Sequence, residues 1–248
     1  GYRESEIAAL LRVQKRLAVA CKTAVQGSLA RNMLETYLGG DAGARVLSGQ
    51  VRRGDGETTR AAIIMADIRN STVMAETLGR QGYISALNLI FDNVGSAFVD
   101  SGGEIISFVG DVFLAVFTCG RTKADSTKAC ERAYGAAREA LTRMAEANAD
   151  RVASGEEKID FGIGLHIGNV MFGNVGLEDR LAFSAFGATV NEASRLESLT
   201  KKYPTPLVSS GDFKYYSEDD ECTELGKETL LGINEPLTVY SPSDYQTC

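Results

Sequence analysis

Residues 60–72, RAAIIMADIRNST, carry an apolar run into an aspartate and then straight into turn and helix-capping residues. Such a run reads as a buried strand that delivers the carboxylate of Asp67 to the rim of a sheet. Residues 103–117, GEIISFVGDVFLAVF, repeat the arrangement. Two apolar runs, Ile105–Val109 and Val112–Phe117, break at Gly110-Asp111 and predict a hairpin with Asp111 at its tip. Between the two acids, Met74 to Asp100 predicts a helix, with Leu78, Ile84, Leu87, Ile90, Phe91, Val94 and Phe98 at roughly helical spacing. A strand, a helical crossover and a hairpin thus bring two carboxylates, 44 residues apart in the chain, toward one sheet edge. Paired oxygen donors at such an edge suit a divalent cation.

Working outward, residues 124–150 form an Ala-rich helix, and residues 160–176 give two strand-like stretches around Gly168-Asn169. A short strand leads to Gly187, and a helix opens at Ala188. A strand at Pro206–Ser209 and a final pair around Glu224–Tyr240 complete the chain. The order β-α-β-β-α-β, followed by a further α-β part, predicts an α+β fold: a ferredoxin-like split βαβ sandwich with helices on one face. Upstream, residues 4–38 read as a helix with an apolar stripe of Ile7, Leu10, Leu11, Val13, Leu17, Leu29, Met33 and Leu34. That helix either packs on the domain or is a coupling or dimer helix arriving from an upstream module. Residues 39–60 read as a short helix plus a loop. The expected division is an N-terminal helical or coupling segment over 1–45 and the main domain over 46–248.

Composition narrows the function. The formal charge of −7 argues against non-specific nucleic-acid binding. Polyphosphates stay open, because a bound metal inverts the local charge. The cysteines are Cys21, Cys119, Cys130, Cys222 and Cys248, an odd number without a C-x-x-C pair. A disulfide scaffold or zinc ribbon is not expected, and a reducing, cytoplasmic setting is. The single histidine, His166, cannot build a His-rich metal site. No apolar run is long enough to span a bilayer. The chain opens on Gly1 rather than Met, so an upstream sensor or membrane module is expected in the full-length protein.

Four segments together resemble the catalytic domain of class III nucleotidyl cyclases of the bacterial type, over about Arg60 to Tyr240. They are ADIRNST (66–72), FVGDVFLAVF (108–117), GIGLHIGNVMFGNVG (162–176) and FGATVNEASRLE (186–197). The resemblance implies conversion of ATP to 3′,5′-cyclic AMP and pyrophosphate, the ribose 3′-hydroxyl attacking the α-phosphate. Since the nucleophile belongs to the substrate, positioning and charge stabilisation are the enzyme's task. Two Mg²⁺ or Mn²⁺ ions per site would be held by Asp67, Asp111 and the carbonyl of Ile68. The loop Arg69, Asn70, Ser71 and Thr72 would meet the triphosphate through backbone N–H groups. Asn191 would orient the ribose, and Arg195, four residues on, would bind the α-phosphate with its fork of donors. The resemblance also implies a homodimer, each site taking its metal acids from one protomer and Asn191 and Arg195 from the other.

Several positions depart from the family pattern. The base pocket holds Ser107 where adenylyl cyclases usually carry Lys, and Ser184 where they carry Asp or Thr. Leu231 stands where a phosphate-binding Lys is usual, with Lys227 four residues upstream and out of register. Asn70-Ser71 replaces a common Gly-Phe. These changes predict a slow or unusual cyclase. The alternatives are a cyclase using GTP or a pyrimidine triphosphate, and a degenerate domain that binds nucleotide or only dimerises.

Overall fold

The computed structural model describes residues 2–217, 221–230 and 236–245. The chain divides into two units, Gly1–Val51 and Arg52–Cys248. In the first unit, helix α1 (Glu4–Leu38) stops at Gly39, whose φ of 87° no L side chain adopts readily, and α2 (Gly40–Leu47) follows. The two helices meet closely at Gly43, where a Cβ would stand 3.0 Å from the Glu35 nitrogen. No residue of α1 is buried within the unit, and its apolar side chains, Leu10, Leu11, Leu17, Leu29 and Met33 among them, are exposed.

The second unit begins with strand β1 (Gly56–Ile68). Helix α3 (Ser71–Ile90) follows, kinked at Gly79, and runs through a π-helical turn over Phe91–Gly95 into α4 (Ser96–Asp100). The hairpin β2 (Glu104–Val109) and β3 (Val112–Thr118) leads to α5 (Lys123–Ala153), β4 (Phe161–Leu177) and β5 (Arg180–Phe186). Helix α6 (Ala188–Leu199), β6 (Leu207–Ser210), α7 (Gly211–Ser217), β7 (Cys222–Glu228) and β8 (Leu237–Pro242) finish the domain.

The described strands form one sheet in the order β2-β3-β1-β4-β6-β8-β7, with β5 hooked onto β4. The portion β2-β3-β1-β4 is wholly antiparallel and is the expected split βαβ core. Alternation along β1 assigns its two faces. Ala62, Ile64, Ala66 and Ile68 pack with Ala86 and Ile90 of α3 and with the alanines of α5. Ala61, Ile63 and Met65 look the other way, toward Leu114, Val116, Phe172 and Ala193 of α6. The sheet is therefore not covered on one face alone: α6 lies on the face opposite α3 and α5. Cys119 and Cys130 are buried, and burial raises the pKa of both thiols, so they serve as small apolar side chains.

Local differences from the expected elements have physical causes. β1 starts at Gly56 rather than near Ala61, because Glu57 to Arg60 pair with Phe172 to Asn169 although their side chains are polar. β4 is a single 17-residue strand and is not interrupted at Gly168-Asn169. Gly168 marks a close approach instead of a turn: a Cβ there would stand 2.4 Å from Thr189 Oγ1. The short α7 carries little periodicity, and Phe213 is its one fully buried large apolar side chain. Phe172 is buried as its apolar character suggests, whereas Phe108 and Met171, equally apolar, are about half exposed.

Candidate active site

Asp67 sits on the α6 face of the sheet at the end of β1, paired across the ladder with Val112. Asp111 is the next residue along the hairpin, so the two acids are diagonal neighbours on adjacent chains of the sheet. Both are partly exposed. Asp111 also raises the pKa of the Tyr83 hydroxyl, second to burial, which places Tyr83 on the approach to this rim. Two carboxylates and the carbonyl of Ile68 form a set of hard oxygen donors. Among the described residues no group of three or more His, Cys, Asp or Glu could hold a metal by itself. The set therefore fits Mg²⁺ or Mn²⁺, whose coordination substrate phosphates and water normally complete.

The loop after Asp67 turns through Asn70 at φ 53°, ψ 29°, the only positive φ at a non-glycine among the described residues. This is the left-handed region, where Asn is the best tolerated replacement for Gly. The exchange of Gly-Phe for Asn70-Ser71 is thus compatible with the turn that opens α3. Ser71 is half-buried and Thr72 exposed in the first turn of α3, where backbone N–H groups point outward. Arg69 is used differently: its backbone N–H donates to the Asp160 carbonyl at 2.8 Å, and its guanidinium donates to the Thr200 carbonyl at 2.7 Å. Arg69 therefore closes the C-terminal end of α6, leaving the N–H groups beyond it to meet an anion.

Helix α6 owes its position to glycines. Gly162, Gly164 and Gly168 alternate along β4 and present one face without side chains. A Cβ on Gly164 would stand 2.3 Å from the Ala193 carbonyl oxygen and the Glu197 nitrogen. The helix backbone therefore lies directly on the strand. Its inward residues, Thr189, Ala193, Leu196 and Glu197, are buried, and Asn191 is exposed on the outer side. Among the described residues neither the Asn191 amide nor the Arg195 guanidinium makes a hydrogen bond or ion pair. Glu192 is drawn to His166, and burial of Glu197 beneath the helix raises its carboxyl pKa. Neither acid neutralises Arg195.

The structure does not bring Asn191 to the acids of its own chain. Its neighbour Glu192 contacts His166, whose ladder partner is Ile63, roughly 13 Å along an extended strand from Asp67. Ser107 pairs with Leu114 after a bulge in β2, and Ser184 of β5 pairs with Gly173 of β4; both serines are half-buried. Leu231 lies outside the described residues.

One residue at the rim went unread in the sequence. Lys201, just past the end of α6, donates to Asp67 Oδ2 at 2.9 Å. That hydrogen bond is the main reason its ammonium pKa is raised. The adjacent basic residues Lys201-Lys202 were the only signal, and basic pairs after helices are common on surfaces. Only the curvature of α6 back over β4 reveals that the first of them reaches Asp67.

Comparison with known proteins accords with this geometry. Residues 55–235 match the model of the adenylate and guanylate cyclase catalytic domain. An uncharacterized protein of Mycobacterium tuberculosis is 30% identical over 224 residues, covering 88% of this chain and 38% of its own length. Adenylate cyclase 1 of Rhizobium meliloti is 32% identical over 178 residues, covering 71% of this chain and 26% of its own. The chain thus spans well under half the length of these relatives. Among solved structures, a bacterial light-regulated adenylyl cyclase superposes with a TM-score of 0.73 at 22% identity, over 94% of this chain and 64% of that one. The guanylyl cyclase Cya2 superposes with a TM-score of 0.62 at 25% identity, over 75% of this chain and 92% of that one. The chain belongs to the adenylate and guanylate cyclase family and carries a nucleotidyl cyclase catalytic domain.

Proposed function

We propose that this domain converts ATP to 3′,5′-cyclic AMP and pyrophosphate at sites shared between the two protomers of a homodimer. The observation that carries the reading is the state of Asn191 and Arg195. Two donors stand unused on the outer side of α6, in the chain whose own acids lie at the far end of that helix. A two-fold partner that brought its Asp67 and Asp111 opposite them would complete a site, and symmetry would complete a second. Asp67, Asp111 and the Ile68 carbonyl would hold two Mg²⁺ or Mn²⁺ ions. When bound, these ions favour ionisation of the ribose 3′-hydroxyl and neutralise the triphosphate. Arg195 would place its donors on the α-phosphate as negative charge builds there, and Asn191 would fix the ribose. The loop Asn70, Ser71 and Thr72 would bind the leaving phosphates through main-chain N–H groups. Ser107 and Ser184 would line the base pocket with hydroxyls that donate or accept, which suits adenine without excluding other bases. The segment over 1–45 would couple this domain to an upstream module, in a cytoplasmic setting. Among the described residues no helix is long and apolar enough to cross a membrane.

The test has two parts. Purified protein with Mn²⁺ is offered ATP, GTP, CTP and UTP in turn, and cyclic AMP is the expected main product. A different dominant cyclic nucleotide would reassign the base pocket, and no product from any of the four would favour the regulatory reading. Asp111→Ala and Arg195→Ala are then mixed, each inactive alone. Random exchange of subunits should restore about a quarter of the wild-type rate, because half the dimers are mixed and each has one intact site. Absence of any recovery in a sample shown to exchange subunits would end the shared-site model.

A further inference from the structure

His166 is the one bulky side chain within the glycine stretch 162–168 of that face of β4, standing between Gly164 and Gly168 beneath α6, with Val170 and Phe172 further along the same face. It is 3% exposed. Both ring nitrogens are engaged: Nδ1 lies 2.7 Å from Ser210 Oγ, and Nε2 lies 2.5 Å from Glu192 Oε2. Ser210 Oγ in turn accepts the Phe213 N–H at 3.1 Å, so the imidazole is fixed from the sheet side. A carboxylate only accepts, so Nε2 carries the hydrogen toward Glu192. Glu192 stands three residues before Arg195 on the same helix, a spacing at which acid and guanidinium readily pair. Yet Arg195 is unpaired among the described residues, and Glu192 turns inward.

We propose that His166 is a positioning residue for the cyclase reaction: by binding Glu192 against β4 it withholds that carboxylate from Arg195 and keeps the guanidinium available to a phosphate. The inference rests on the reading of Arg195 given above. Once released, the Glu192 carboxylate would occupy the guanidinium and set a negative charge beside the phosphate that the guanidinium serves. The effect falls on the transition state, where that charge grows, more than on nucleotide binding.

The experiment uses the whole chain with ATP and Mn²⁺. His166→Leu should lower kcat about tenfold, the scale of one like charge within a few ångströms of the reacting phosphate, and change KM by less than about threefold. His166→Leu/Glu192→Gln should return kcat to within about twofold of Glu192→Gln alone, because the carboxylate is gone. A merely structural histidine would show no such rescue. If the double variant stays as slow as His166→Leu, or His166→Leu keeps the full rate, the proposal is overturned. Should His166→Leu fail to fold, the decision passes to the partly exposed Glu192. Glu192→Asp, too short to reach His166, should lower kcat, whereas Glu192→Gln, still an acceptor, should not; equal rates in the two overturn the proposal. Arg195→Ala runs in parallel. A silent Arg195→Ala removes the reading of Arg195 itself, whereas a dead Arg195→Ala beside a fast His166→Leu removes this inference alone.

Discussion

The two ends of α6 are treated differently by the rest of the chain. At the C-terminal end the polar groups are satisfied internally: Arg69 bonds the Thr200 carbonyl, Lys201 pairs with Asp67, and Glu197 is buried between them. The N-terminal end is anchored through its backbone, with Thr189 donating to the Asn169 carbonyl at 2.8 Å, but along the outer side that runs from this end Asn191, in the first half of the helix, and Arg195, just past its middle, are left without partners among the described residues. One end is complete within a single chain and the other is not. A partly exposed, unpaired Arg still reaches water, so its freedom alone means little. What gives it weight is that both nearby acids are turned away from it by specific burial and bonding. A helix arranged in this way holds its charge in reserve for a group that the chain does not itself contain.

The comparison breaks most severely if the reserved end proves dispensable. Arg195→Ala should lower kcat by about 10²- to 10³-fold, the usual loss when one transition-state donor is removed, with thermal stability unchanged. Its measurement is product formation beside a melting curve. An equal loss in Asp111→Ala would place both ends of the proposed site in one reaction. A variant that melts early would show instead that Arg195 belongs to the fold.

The next effect falls on the seat of the helix. Gly164→Val would put side-chain atoms where the Ala193 carbonyl and the Glu197 nitrogen already stand, and backbone cannot rotate aside as a side chain can. A loss of about 3 kcal/mol or more is expected in denaturant melts, with α6 displaced. Gly162→Ala meets mainly the Thr200 and Glu197 side-chain oxygens and should cost less. Equal losses in the two would mean that α6 does not rest on β4 through its backbone.

This groove shows where the sequence could and could not be read. The strand ending in Asp67, the hairpin around Asp111 and the helix opening at Ala188 are local patterns, because hydrophobic alternation and turn residues record them directly. The split βαβ order follows from those elements. The local pattern supplied only the helix that Asn191 and Arg195 share; their assignment came from the resemblance of FGATVNEASRLE to the cyclase family. The glycines of 162–168 were visible too, but only Gly168 was given a meaning, as part of a break between two strands. Their use, making room for a helix that arrives more than twenty residues later, is a tertiary fact. Lys201 and the inward turn of Glu192 were hidden for the same cause: each depends on where α6 lies, and no local pattern encodes that. The half exposure of Phe108 and Met171 is likewise decided by which face of the sheet is left open.

The satisfied end offers a smaller test. Lys201 is half exposed, so its pair with Asp67 is worth no more than about 1 kcal/mol. A divalent ion at Asp67 must displace it. Lys201→Gln should therefore tighten Mn²⁺ binding about threefold to fivefold, read without nucleotide as the free-ion signal in electron paramagnetic resonance. Asp67→Asn should weaken the same binding strongly. Unchanged affinity in Lys201→Gln, with Asp67→Asn showing its loss, would mean that the lysine is a bystander.

Glu197 sets the finest distinction between the two ends. Burial is the largest cause of its raised carboxyl pKa, Asp67 adds to it, and Lys201 and Arg69 oppose it. A carboxyl that is harder to ionise in the folded chain than in the unfolded one favours folding while it is protonated. That contribution is complete below the ordinary carboxylate pKa and fades as pH rises through the higher folded value. Wild type should therefore lose stability relative to Glu197→Gln across that window, by less than about 1 kcal/mol, or some 2–4 °C in Tm. Melting both proteins at successive pH values checks it. A gap that stays constant would show that Lys201 and Arg69 fully compensate the buried charge. The closed end of α6 would then be neutral by design of its charges and not by suppression of one of them, and the contrast with the open end would rest on Arg195 alone.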